Sequence, residues 1–136
     1  MRRLAIAVPI IALSVMALGS ECEEDPTGDP IRDVDRSAID PSDDDAWASS
    51  PWTITDPETE GLIEIEPGTR IKLYHGLGHA PVEVHAYVGF AEDESRVMPA
   101  SGNAVEIHEV GTDDGGDYVV IRNGSGGSFY YRFVLR

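Results

Sequence analysis

The chain has 136 residues, 25 acidic against 10 basic side chains, a net charge of -15 and one cysteine. That length suits one domain plus a tail, since a domain usually takes about 100 to 200 residues. The charge balance excludes a nucleic-acid binder, which needs clustered Lys and Arg against the phosphate backbone, because Lys72 is the single lysine. Anionic membrane surfaces are disfavoured for the same reason, and one cysteine makes neither an internal disulfide nor a Cys-based zinc site.

Met1, Arg2 and Arg3 form a basic start, followed by an apolar run from Leu4 to Leu18 and then Gly19 and Ser20. This is the order of a secretory signal peptide, expected over residues 1–19. The run spans 15 residues and contains Pro9, too short to cross a bilayer, for which a helix needs roughly 20 apolar residues. Cleavage is therefore expected, and two sites are open. Ala17 and Gly19 suit an ordinary signal peptidase, which would leave Ser20 first. The stretch Leu18-Gly19-Ser20-Glu21-Cys22 resembles a degenerate bacterial lipobox, which implies lipidation of Cys22; Glu21 stands where that family has a small residue.

Residues 21–50 carry eleven carboxylates against Arg32 and Arg36, with Pro26, Pro30 and Pro41 among them. Such a composition buries too little surface to offset the entropy of ordering, so residues 20–50 read as a disordered acidic tether. The run Asp43-Asp44-Asp45 lacks the glycine turn and later ligands of a calcium loop and reads as solvated charge.

From Trp52 the pattern changes to period two, the signature of half-buried strands. Ile63 and Ile65 alternate with glutamates, Ile71 and Leu73 with Arg70 and Lys72, and Val82, Val84, Ala86 and Val88 with Glu83, His85 and Tyr87. Further runs are Ala104 to Val110, Tyr118 to Asn123 and Phe129 to Leu135, the last with Phe129, Tyr131, Phe133 and Leu135 on one face. With Thr53 to Thr55 as an edge, six or seven strands are expected and no helix. Between them lie Pro67-Gly68, Gly76 to Gly78, Ser101 to Asn103, Asp113 to Gly116 and Asn123 to Gly127, which supply turn geometries and imply antiparallel hairpins. Residues 51–136 thus read as a small antiparallel β-sandwich; a small β-barrel is the alternative.

Four histidines are the candidates for metal or acid–base chemistry. His75 and His79 have the spacing of two ligands on one helix face, but Gly76 and Gly78 between them make a turn. By strand parity His75 faces inward with Ile71 and Leu73, so a structural histidine bonding the turn backbone is expected. His85 shares a polar face with Glu83, and His108 with Glu106; if their strands are neighbours, His85, His108 and Glu83 meet within zinc-ligand range. Asp113, Asp114 and Asp117 sit on a tight hairpin loop where converging carboxylates would hold calcium, against the plainer reading of an Asp-Gly turn. Ser125 and Ser128 lack the frame of a nucleophile elbow, and their glycine-rich loop lacks a phosphate-binding lysine. Glu92, Asp93 and Glu94 form an acidic loop balanced by Arg96.

His75-Gly76-Leu77-Gly78, the valines 82, 84 and 97 with Tyr87, the run Ala104 to Ile107 and the closing Tyr131-Arg132-Phe133-Val134-Leu135 together resemble the small β-modules of phage tail fibres and related appendage proteins. The resemblance implies a structural or adhesive module without an active site, as a subunit of a trimeric appendage. From the residues themselves the leading expectation is an exported, non-enzymatic binding or structural module of the bacterial cell envelope. Its partner would be an envelope protein or glycan, and it would touch the membrane only through a lipid on Cys22. A small metal-dependent hydrolase using His85, His108 and Glu83 is the expectation from another class. Intact mass of the mature protein tests the export reading: it should start at Ser20, or at Cys22 with a diacylglycerol increment, and retention of Met1 would refute it.

Overall fold

The computed structural model describes residues 30–36 and 46–136. The expected signal peptide, Cys22 and Asp43 to Asp45 lie outside them.

Among the described residues nine strands form two sheets, as expected for a small β-sandwich, and neither sheet closes into a barrel. They are β1 (Ile31–Asp35), β2 (Trp47–Ala48), β3 (Ile63–Ile65), β4 (Arg70–Tyr74), β5 (Val84–Gly89), β6 (Met98–Pro99), β7 (Glu106–Asp113), β8 (Gly116–Arg122) and β9 (Phe129–Leu135). Sheet A has the order β1-β4-β8-β7; sheet B has the order β2-β9-β5-β6, with β3 also on β9. All pairings are antiparallel except β1 with β4.

The alternating runs place the core. Ile71 and Leu73 of β4 and Val119 and Ile121 of β8 face Ala86 and Val88 of β5 and Tyr131, Phe133 and Leu135 of β9, with Ile63 and Ile65 closing one side. Tyr131 and Phe133 stack with centroids 5.6 Å apart and planes 2° from parallel. Tyr131 lies fully inside, its hydroxyl donating to the Ala104 carbonyl at 2.6 Å, and desolvation pushes its pKa up to about 12.

Three expectations change. The folded part starts well before residue 51. Strand β1 runs parallel to β4 from Ile31↔Arg70 to Asp35↔Tyr74, with Val34 against the core. Trp47 is 2% exposed, and Ser49 and Ser50 are buried. The reason is non-local: the Ser49 amide donates to the Phe133 carbonyl at 2.9 Å, and the Ser49 hydroxyl accepts the Phe133 amide at 2.9 Å. A composition average over residues 21–50 hides single apolar anchors of this kind.

Thr53 to Thr55 is not a strand. It leads into a one-turn helix, α1 (Pro57–Glu60), although no helix was expected. Local capping outweighs the β preference of Thr-Ile-Thr: the Asp56 carboxylate accepts the Glu58 amide at 3.1 Å, and the Glu60 carboxylate accepts the Thr55 amide and hydroxyl at 3.0 and 2.8 Å. Finally, β7 begins at Glu106, after a 3-10 turn over Gly102–Ala104, and runs on to the hairpin at Asp113.

Because Trp47 belongs to this core, Trp47→Ala should lower unfolding free energy by about 3 to 5 kcal/mol, the usual cost of truncating a large buried aromatic. Equilibrium denaturation measures it; an unchanged midpoint would place residues 46–50 outside the cooperative unit.

Candidate functional site

The hairpin joining β7 to β8 turns at Asp114-Gly115, with Asp113 opposite Gly116. Across the outer face of sheet A the register aligns Arg70, Arg122 and Glu106 in one row, Lys72, Val120 and Glu109 in the next, and Tyr74, Tyr118 and Gly111 in the third. Side chains in a row touch, so the face becomes a ladder of paired charges and rings. Asp113 accepts Lys72 Nζ at 3.0 Å, the Tyr74 hydroxyl at 3.2 Å and the Gly115 amide at 2.8 Å. The Lys72 ammonium also lies 4.3 Å from the Tyr118 ring centroid, a cation–π contact. Tyr118 donates to Glu109 at 2.6 Å, and Arg122 donates to Glu106 at 3.0 Å.

The pairing sets the protonation equilibria of these groups. The hydrogen bond from Lys72 holds the Asp113 carboxyl below the usual carboxylate range and raises the lysine in turn. Arg122 lowers Glu106 in the same way. Desolvation raises Tyr74, whereas the bond to Glu109 is the main cause at Tyr118. Two glycines make room for the rings: a Cβ on Gly115 would stand 2.7 Å from the Tyr74 ring, and one on Gly111 2.8 Å from the Tyr118 hydroxyl oxygen.

The expected calcium cluster is not formed. Asp113 is turned back onto the sheet, Asp117 accepts the Thr112 hydroxyl at 2.6 Å, and Asp114 stands exposed at the tip. Among the described residues no group of three or more His, Cys, Asp or Glu side chains converges. The zinc set is divided too, because β5 pairs with β6 and β9 while β7 pairs with β8 in the other sheet. His85 lies 3.1 Å from Glu83, and His108 lies 3.6 Å from Glu106. Their strands are not neighbours, so the condition for that site fails.

The other singled-out residues serve the backbone. Ser125 donates to Asn123 Oδ1 at 2.5 Å, and buried Asn123 donates to the Ile65 and Gly127 carbonyls at 2.8 Å each. That network shapes the Asn123–Gly127 loop, and Ser128 just after it is exposed. Glu94 accepts the Phe90 amide at 2.7 Å, and the His79 ring bonds the Ala80 carbonyl at 3.0 Å. Glu92 and Asp93 are exposed in the same acidic loop.

His75 takes the structural role expected of it. It is 4% exposed, its Nδ1 accepts the Leu77 amide at 3.3 Å within the Gly76–Gly78 turn, and its ring meets Trp47 edge-on with centroids 6.4 Å apart. An accepting Nδ1 places the ring hydrogen on Nε2, which is buried without an acceptor among the described residues. Desolvation lowers its pKa, partly offset by Asp117. A cleft of about 360 Å³ opens beside it between Asp35, Arg36, Trp47 and Asp117.

Sequence reasoning missed the role of Arg132. It occupies an outward position of β9 yet is fully buried, its Nε donating to the Ser50 carbonyl at 3.0 Å. Trp52 covers the guanidinium at 4.2 Å and meets Tyr87 edge-on at 5.2 Å. Arg132 Nη1 and Nη2 have no hydrogen-bond partner among the described residues, so the Trp52 ring face supplies the compensating contact. Desolvation lowers the pKa of this guanidinium. The signal available in the sequence was an arginine set amid the aromatic run of β9.

No protein-family model, curated protein or solved structure matches the chain.

The buried neutral His75 makes stability depend on pH. Its folded pKa lies below the ordinary 6.5, so the unfolded chain binds the proton first as pH falls. The histidine's contribution is fully present above about pH 6.5 and is lost as pH drops from there toward the folded pKa. His75→Ala should cost about 1 to 3 kcal/mol by leaving the Leu77 amide unpaired and should flatten the slope just below pH 6.5. Urea titrations at stepped pH measure both; an unchanged slope in the variant would assign it to another group.

Proposed function

We propose that this chain is an exported, non-enzymatic binding or structural module of a bacterial cell envelope, working through surface contact. The observation that carries the reading is the β7–β8 hairpin, whose Asp113 is tied back to Lys72 and Tyr74 of β4. The tie holds the turn rigidly against sheet A and presents Asp114 outward, as loops on a stiff sandwich present binding residues. Glu106, Asp113, His75 and Arg132 have framework partners, which supports contact over catalysis. The signal-like N-terminal sequence supports export, by cleavage before Ser20 or by lipidation of Cys22.

The acidic tip selects a partner carrying positive charge. Asp114→Asn is the informative change, because Asp113 also holds the hairpin together. With the full chain immobilised, capture of envelope proteins or glycans should weaken as salt rises from about 0.05 to about 0.5 M, the range over which screening shortens from over 10 Å to a few ångström. Asp114→Asn should weaken it further while leaving the unfolding midpoint in place. Capture indifferent to both would remove the tip as the contact.

A further inference from the structure

Strand β7 ends sheet A and, among the described residues, pairs with β8 alone. Its register sets Ile107 opposite Ile121 and Val110 opposite Val119, and directly opposed residues point to the same face. Both partners are fully buried, yet Ile107 is 48% exposed and Val110 41%. Two core-facing side chains are thus left in water. The cause lies in the other sheet. Arg32 of β1 donates to the Glu64 carbonyl of β3, so the β1 edge lies over the β3 edge, and the strand orders make β7 and β6 the opposite ends of the two sheets. Strand β6 has two residues against eight in β7, and its own Met98 is 52% exposed. The outer side of β7 also carries backbone amides and carbonyls that no described strand takes up.

We propose that β7 is a docking edge, taking an extended cationic segment of a partner polypeptide as an added strand of sheet A. This rests on the binding-module reading above and specifies the partner's chemistry. Strand addition supplies main-chain hydrogen bonds for affinity, and alternate side chains supply selectivity. Inward side chains of the added strand would cover Ile107 and Val110 and so be apolar. Outward ones would lie beside the exposed Glu109, and beside Glu106 and Asp113 that already hold Arg122 and Lys72, on a chain of charge -15, and so be lysine or arginine. Glu109 accepts the Tyr118 hydroxyl and stands exposed at the edge. A second copy of this chain fits poorly, because two β7 strands would juxtapose those carboxylates in chains of charge -15. The irregularity between Ile107 and Glu109 breaks the ladder and guards the edge against indiscriminate pairing. Glu109 to Asp113 is the regular stretch that remains to be extended.

The test uses the isotopically labelled full chain and a capped peptide of alternating valine and lysine, matched to the eight residues of β7. Binding should shift and protect amides of Glu109 to Asp113, and it should weaken with salt. Val110→Lys places a charge on the inward side of the edge, at a position already half in water. It should keep the unfolding midpoint and weaken the peptide about tenfold or more; should it fail to fold, Thr112→Lys, exposed on the same side of the strand within the regular stretch, applies the same test. No peptide binding, amide changes confined to other strands, or variant affinity equal to the parent's would overturn the proposal. So would a dimer that protects β7, which would name a second copy as the occupant. If Asp114→Asn abolishes envelope capture while Val110→Lys does not, the hairpin tip is the contact, and the edge proposal falls while the binding-module reading stands.

Discussion

Strand β9 is hydrogen-bonded along both edges, and the rest of the fold depends on it. One edge is shared end to end by β2, at Val134 and Leu135, and β3, at Phe129 to Tyr131; the other takes β5 from Val84 to Gly89. Its inward residues Tyr131, Phe133 and Leu135 are fully buried, and so is its outward Arg132. The contact between Ser49 and Phe133 spans 84 residues. Closing so long a loop costs entropy before any burial is gained, and β2 finds its strand partner only at the far end of the chain.

The two faces of sheet A divide the chemistry. Inward, β4 and β8 contribute Ile71, Leu73, Val119 and Ile121 to the core. Outward, Lys72 and Arg122 are each set against a carboxylate from β7. In a chain so acidic this is a local neutralisation. Exposed pairs of this kind contribute little stability individually, but their alignment through Tyr74 and Tyr118 fixes how the hairpin meets the sheet.

Buried polar groups do a different task. His75 stays neutral beside Trp47 and fastens a turn, and Arg132 fastens the Ser49–Trp52 segment to the outer side of sheet B. An arginine stripped of water is costly unless its charge is met; the Ser50 carbonyl and the Trp52 ring meet it here. Both residues act on the segment before residue 53, so the attachment of β2 and the turn after it rests on two polar contacts as well as on Trp47.

Period-two patterning and turn residues made the strands from Ile63 onward legible, the two-residue β6 excepted, together with the inward faces of β4, β5 and β9, because alternation is a property of neighbouring residues and needs no partner. His75 was legible for the same reason: parity and two flanking glycines define its surroundings. Capping by Asp56 and Glu60 was also local and was overlooked under the β preference of Thr53 to Thr55. Pairing across the chain was not legible. Whether β5 and β7 are neighbours decides if His85 and His108 meet, and nothing in either strand states its partner. The same holds for Ile31 to Asp35 and for Trp47, whose acidic surroundings resemble a tether until β4 and β9 supply hydrogen bonds and a core to bury them. Exposure of Ile107 and Val110 required the tertiary structure too, since it depends on what the opposite sheet sets against β7. The sequence by itself determined which residues turn inward along each strand; the packing of two sheets decided which of those inward residues are covered.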